Sequence, residues 1–165
     1  MTPKKRVEAV LRGERIDKIP FTIYESKIPQ CVVERQLRNE GLCIVNRLYP
    51  VFKVISPNVS YESHAYTEKN LDYIRYIIKT PIGELTYLVK PAGFTSWTLE
   101  KIFKGPEDYK KLYAMIEGQT YLEAYDEFLK ARDVLGEDII LRAGIGSSPL
   151  HQIMIGWMGI ETFAI

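Results

Sequence analysis

The stretch Asp138-Ile139-Ile140-Leu141-Arg142-Ala143-Gly144-Ile145-Gly146-Ser147-Ser148-Pro149-Leu150 constrains the fold more than any other part of the chain. An apolar run is closed by glycines, and a Ser-Pro pair then opens an apolar helix expected to run on to Ile165. Strand, small-residue loop and helix make a βα unit, with the loop at the C-terminal end of the strand, where α/β enzymes place their chemistry. No Gly, Pro or polar cap is evident to end that helix, so the sequence reads as the front part of a larger enzyme.

Length and charge narrow the class. With 165 residues the chain can bury a core of one domain, but it is shorter than the roughly 250 residues usual for a closed (β/α)8 barrel. Its 22 basic and 21 acidic residues nearly cancel and are scattered, which argues against a nucleic-acid partner. No apolar run approaches the ~20 residues of a membrane span, and Met1-Thr2-Pro3-Lys4-Lys5-Arg6 leads into an amphipathic helix, not a signal peptide. Cys31 and Cys43 have neither disulfide-framework nor metal-ligand spacing and read as buried structural thiols; a cytoplasmic location is the default expectation.

Along the chain, Thr2 and Pro3 open a helix that Gly13 ends. Phe21-Thr22-Ile23-Tyr24 reads as a first strand, delivering Glu25, Ser26 and Lys27 to its C-terminal end. A helix is predicted from about Pro29 to Glu40, stopped by Gly41, and Leu42-Cys43-Ile44-Val45 reads as a second strand. Strict alternation then takes over between about 58 and 90, separated by Glu68-Lys69-Asn70 and Thr80-Pro81-Ile82-Gly83, which predicts an antiparallel meander inserted into the α/β series. After Gly105-Pro106-Glu107-Asp108, helical stripes are predicted at Tyr109, Leu112, Tyr113 and Ile116, and at Tyr121, Tyr125, Phe128 and Leu135. One domain, 1–165, incomplete as a barrel, is the simplest account.

Several segments, in order, resemble the uroporphyrinogen decarboxylase superfamily: Thr2-Pro3-Lys4-Lys5-Arg6-Val7 with Leu11-Arg12-Gly13-Glu14; Asp17-Lys18-Ile19-Pro20; Thr80-Pro81-Ile82-Gly83-Glu84-Leu85; Lys104-Gly105-Pro106-Glu107-Asp108-Tyr109; and Ser148-Pro149-Leu150 with Met158-Gly159-Ile160-Glu161. The resemblance implies the N-terminal portion of a (β/α)8 TIM barrel. It also implies one of two activities: decarboxylation of a tetrapyrrole without a cofactor, or transfer of a methyl group from a corrinoid to a thiol. The decarboxylase branch is expected to carry an Arg-Gln-Ala-Gly-Arg segment beside strand one, because its substrate bears many carboxylates. Here the strand ends in Glu25-Ser26-Lys27-Ile28-Pro29, and a pocket lined by Glu25 would repel that substrate. The methyltransferase-like branch is therefore favoured. The zinc it uses to activate the thiol would be held by residues beyond this chain.

The expected site lies at the C-terminal ends of the strands. Glu25 and Arg142 are the candidate catalytic residues, and Asn46, Arg47, Gly144 and His151 the candidate substrate-binding residues; no metal ligand is assigned within the chain. A tetrapyrrole or corrinoid, or a corrinoid protein, is the expected partner. A non-catalytic half-barrel that binds such a pigment and pairs as a homodimer is the reading from another class.

Overall fold

The computed structural model describes residues 1–165, the side chains at positions 47 and 48 excepted. The chain is mixed α/β and forms two compact units: 1–53 with 122–145, and 54–121 with 146–165. Among the described residues no helix is long and apolar enough to cross a membrane.

The first unit begins with α1 (Pro3–Leu11). The Thr2 hydroxyl accepts from the Lys5 amide, Pro3 occupies the first turn, and Gly13 takes the left-handed conformation (φ +71°) that ends the helix. Strand β1 (Phe21–Tyr24) and the 3₁₀ turn Glu25–Lys27 lead into α2 (Val32–Asn39), which starts three residues later than the sequence suggests. Strand β2 runs from Leu42 to Pro50, well beyond the expected Val45. Helix α4 (Tyr125–Val134) and β9 (Ile139–Gly144) complete the unit. The three strands are parallel, in spatial order β1-β2-β9.

Register assigns the faces of this sheet, because paired residues in a parallel ladder point the same way and successive residues alternate. Ile23, Ile44 and Ile139 share one face, continued by Asn46 and Leu141; Thr22 with Cys43, and Tyr24 with Val45 and Ile140, share the other, continued by Arg142. Helices α2 and α4 cover the first face: Glu34 and Arg38 lie with Ile44 and Ile139, and Phe128 packs edge-on to Tyr49 at 6.0 Å. On the second face α1 meets β2 and β9, where Ala9 and Cys43 are buried. That helix covers the N-terminal half and leaves Val45 and Arg142 at the C-terminal half partly or wholly exposed.

Charge reinforces the packing of α1. The buried Arg6 guanidinium donates from Nε and Nη2 to the two carboxylate oxygens of Asp17, at 2.6 and 2.8 Å, and from Nη2 to the Met1 carbonyl. Those bonds hold the Asp17 carboxyl far below the usual carboxylate range.

The second unit is built on the meander. Strands β4 (Ser60–Glu68), β5 (Leu71–Thr80), β6 (Gly83–Ala92) and β7 (Thr95–Glu100) pair antiparallel in sequence order. The sheet therefore runs one strand further than the predicted limit near 90. Helix α3 (Asp108–Glu117) packs against it through a face rotated from the predicted stripe: Leu112 is buried as expected, but with Asp108 and Met115, whereas Tyr109, Tyr113 and Ile116 are exposed. Asp108 is accommodated by the Lys104 amide at 2.8 Å and the Lys111 ammonium at 2.8 Å. The core joins Ile78 and Leu85, which are register partners, to Ile102, Phe103, Leu112, Met115 and Met158.

Two further expectations are corrected. Tyr121 is not helical: it lies in β8 (Thr120–Glu123), which pairs with β3 (Phe52–Ile55). The helix after Pro149 does not run unbroken to Ile165. It comprises α5 (Pro149–His151), a π-helix (Gln152–Met158) and, past a break at Gly159 (φ +84°), α6 (Ile160–Phe163). Glycine supplies that positive φ without steric cost.

Candidate functional site

The residues expected to act together fall into separate places. Glu25 and Asn46 do meet: they line a recess beneath α2 with Ile28, Gln30, Glu34, Arg38, Ile44, Leu135 and Ile139. Its chemistry is governed by an ionic cluster absent from the candidate residues. Arg38 Nη1 donates to Asp138 Oδ2 at 2.9 Å, and its Nε lies 2.6 Å from Glu34 Oε1 without being aligned on it. Glu34 is 4% exposed, and Arg38 is the ion-pair partner beside it. The Glu34–Arg38 spacing of four residues in α2 was the available sequence signal.

Arg142 lies on the opposite face of the sheet. With Thr22, Ile23, Tyr24, Lys27 and Val45 it lines an open recess of about 480 Å³ at the C-terminal end of the strands. Two cations and no acid line this recess, and Arg142 makes no ion pair among the described residues. Glu25 does not line it. A guanidinium and an ammonium facing one opening can bind a carboxylate or phosphate, the guanidinium through two parallel hydrogen bonds.

Gly144 and His151 line neither recess. Gly144 pairs with Pro50 at the end of β9. His151 is exposed on α5 in the second unit, where its amide donates to the Ser148 hydroxyl that caps the helix. The side chain of Arg47 lies outside the described residues. His64 is exposed in β4.

The cysteines differ from each other, contrary to the expectation that both are buried. Cys31 is exposed at the start of α2, because the helix begins after it, whereas Cys43 is fully buried under α1. Burial, assisted by the negative charge of Asp138, pushes the Cys43 thiol up to about 11. Alkylation with iodoacetamide at pH 8 should therefore label Cys31 at least ~100-fold faster than Cys43 in the folded protein, and both equally in denaturant. Mass spectrometry of peptides after timed quenching checks this, and equal rates under native conditions would contradict the packing of α1.

Among the described residues no group of three or more His, Cys, Asp and Glu side chains could hold a metal ion, so they offer zinc no ligand set. Comparison with protein-family models, with curated proteins and with solved structures gives no match.

Proposed function

We propose that this chain forms the front part of a (β/α)8 enzyme of the uroporphyrinogen decarboxylase superfamily, and that the Arg142 recess binds the acidic edge of a tetrapyrrole or corrinoid. The observation that carries this reading is the recess itself: it is lined by Arg142, which makes no ion pair among the described residues, at the C-terminal ends of parallel strands. Three features agree with it. The strands follow one another in space as they do in sequence, the helices α2 and α4 cover one face, and α1 closes the other face only at its N-terminal half. In a barrel the open face would be the lumen, and its open end would be the catalytic end.

The favoured activity within the superfamily is methyl transfer from a methylcorrinoid to a thiol. Two cations suit the single phosphate of a corrinoid better than a substrate bearing many carboxylates. The corrinoid would supply the transferable methyl group; Arg142 and Lys27 would bind and orient its anionic group, while Tyr24 and Val45 would offer apolar contact. Decarboxylation of a tetrapyrrole is the second reading. It is favoured by the position of Glu25, which lines the recess beneath α2 and not this one, and so would not repel a polycarboxylate here.

Visible-absorbance titrations with cobalamin and with uroporphyrin test the proposal. Arg142→Ala should weaken binding of the preferred pigment about 10-fold or more, the value of a charge-assisted hydrogen-bond pair. Tighter binding of cobalamin supports the methyltransferase-like reading, and tighter binding of uroporphyrin the decarboxylase-type one. Methyl transfer to a thiol or release of carbon dioxide then separates an enzyme from a non-catalytic binder, in which a second copy would pair with the first. Binding of neither pigment, or equal binding by Arg142→Ala, would sink the proposal.

A further inference from the structure

The second unit contains an opening that reaches its own core. It is lined by Ile78, Tyr87, Ile102, Met115, Gln152 and Trp157, with Thr98 and Gly156 at its edge, and has a volume of about 280 Å³. Ile78, Ile102 and Met115 belong to the buried core, so the floor is apolar. Tyr87 and Trp157 are partly buried against that core and contribute aromatic surface. No Asp, Glu, Lys or Arg side chain lines the opening, which disfavours a charged occupant.

The polar groups are few. Among the described residues no hydrogen bond is made by the Gln152 carboxamide or the Thr98 hydroxyl, although both line the opening. Gln152 starts the π-helix, a geometry that recurs at functional sites. One turn on, Gly156 leaves room for its carboxamide: a methyl group there would meet Gln152 Nε2 at 2.6 Å. An apolar, aromatic-lined recess with a few polar groups at its rim is the usual form of a small-molecule site, and at about 280 Å³ this one falls just below the usual size range, which limits it to a small ligand.

We infer that this recess binds a small, neutral, planar aromatic molecule with a hydrogen-bonding edge, such as an aryl carboxamide or nitrogen heterocycle. The ring lies against Tyr87 and Trp157, and the polar edge meets Gln152. An amide partner matches the carboxamide of Gln152, which both donates and accepts. The site stands apart from the anion recess proposed for the first unit and does not depend on that reading.

Titration of ¹⁵N-labelled protein with benzamide tests the inference, read at the indole N–H of Trp157 with exposed Trp97 as internal control. The expected result is a saturable shift at Trp157 and none at Trp97. Cyclohexanecarboxamide, which keeps the polar edge and lacks the ring, should bind at least several-fold more weakly. Gln152→Leu should weaken benzamide binding about 10-fold, the equivalent of a hydrogen bond to a buried polar edge. Gly156→Ala retains the glutamine but displaces its carboxamide and should weaken binding in the same direction, so the inference stays testable if one variant folds poorly. Absence of a saturable shift at Trp157, equal shifts at both tryptophans, equal binding of the two amides, or undiminished affinity in a folded Gln152→Leu or Gly156→Ala would each overturn it.

Discussion

Leu85→Ala should destabilise the protein by about 3 kcal/mol, since leucine-to-alanine changes in packed cores cost roughly 2–5 kcal/mol through lost transfer energy plus the cavity left behind. Leu85 is 2% exposed and sits opposite Ile78 in the β5–β6 ladder, in the core that joins the meander to α3 and the π-helix. Its neighbours belong to three separate elements, so none can close the gap without disturbing the others. Leu99→Ala on β7 is the control: Leu99 is largely exposed, and its removal should cost no more than about 0.5 kcal/mol. Urea unfolding followed by both tryptophan fluorescence and far-ultraviolet circular dichroism measures the difference. Two probes are needed because the chain has two compact units that need not unfold together. A cost below about 1 kcal/mol for Leu85→Ala would show that the meander is not packed as described.

The elements most legible in the sequence were those determined by local chemistry. Thr2, Pro3 and Gly13 announce α1 through capping, first-turn preference and a left-handed stop, and all three act as expected. Alternation found β4, β5 and β6 because each of these strands pairs with a sequence neighbour. Strand β7 is not predicted: Thr95–Glu100 carries only two strongly apolar residues, Trp97 and Leu99, an alternation too short to mark a strand, and its pairing with β6 makes it one. The predicted face of α3 holds only at Leu112. Tyrosines looked like core, but Asp108 enters the interior because an amide and an ammonium satisfy it, and a single sequence does not display that satisfaction.

The candidate site divided along the same line. Glu25 and Asn46 are candidates because they follow predicted strands, and Arg142 because it is a charge within an apolar one, yet the strand register puts Asn46 and Arg142 on opposite faces. Alternation along β9 could have indicated that Leu141 and Arg142 diverge, but it could not say which side would be covered by helices. The bulge in β2 between Asn46 and Tyr49 adds a further shift that no spacing rule foresees. Likewise, Gln152 lay within what read as an uninterrupted apolar helix, and nothing in that reading marks a π-helical turn.

Arg38→Met should cost as much as Leu85→Ala, about 3 kcal/mol, but for an electrostatic reason. Removing one partner of a buried ion pair leaves the other charge in a place chosen for its partner, which costs roughly 3–5 kcal/mol; Arg38 is partly exposed, which places it at the low end. Glu34 would keep its buried carboxylate without the guanidinium 2.6 Å away, and Asp138, immediately before β9, would lose its link to α2. Methionine retains much of the aliphatic stem, so the loss reports charge more than packing. The decisive comparison is a double-mutant cycle. Glu34→Gln combined with Arg38→Met removes the buried charge together with its partner, and the pair should recover most of the stability lost by Arg38→Met alone. Denaturant midpoints of the four proteins at pH 7 measure the coupling. If the two substitutions simply add, the cluster is not a coupled ion pair, and α2 is held to the sheet by packing instead.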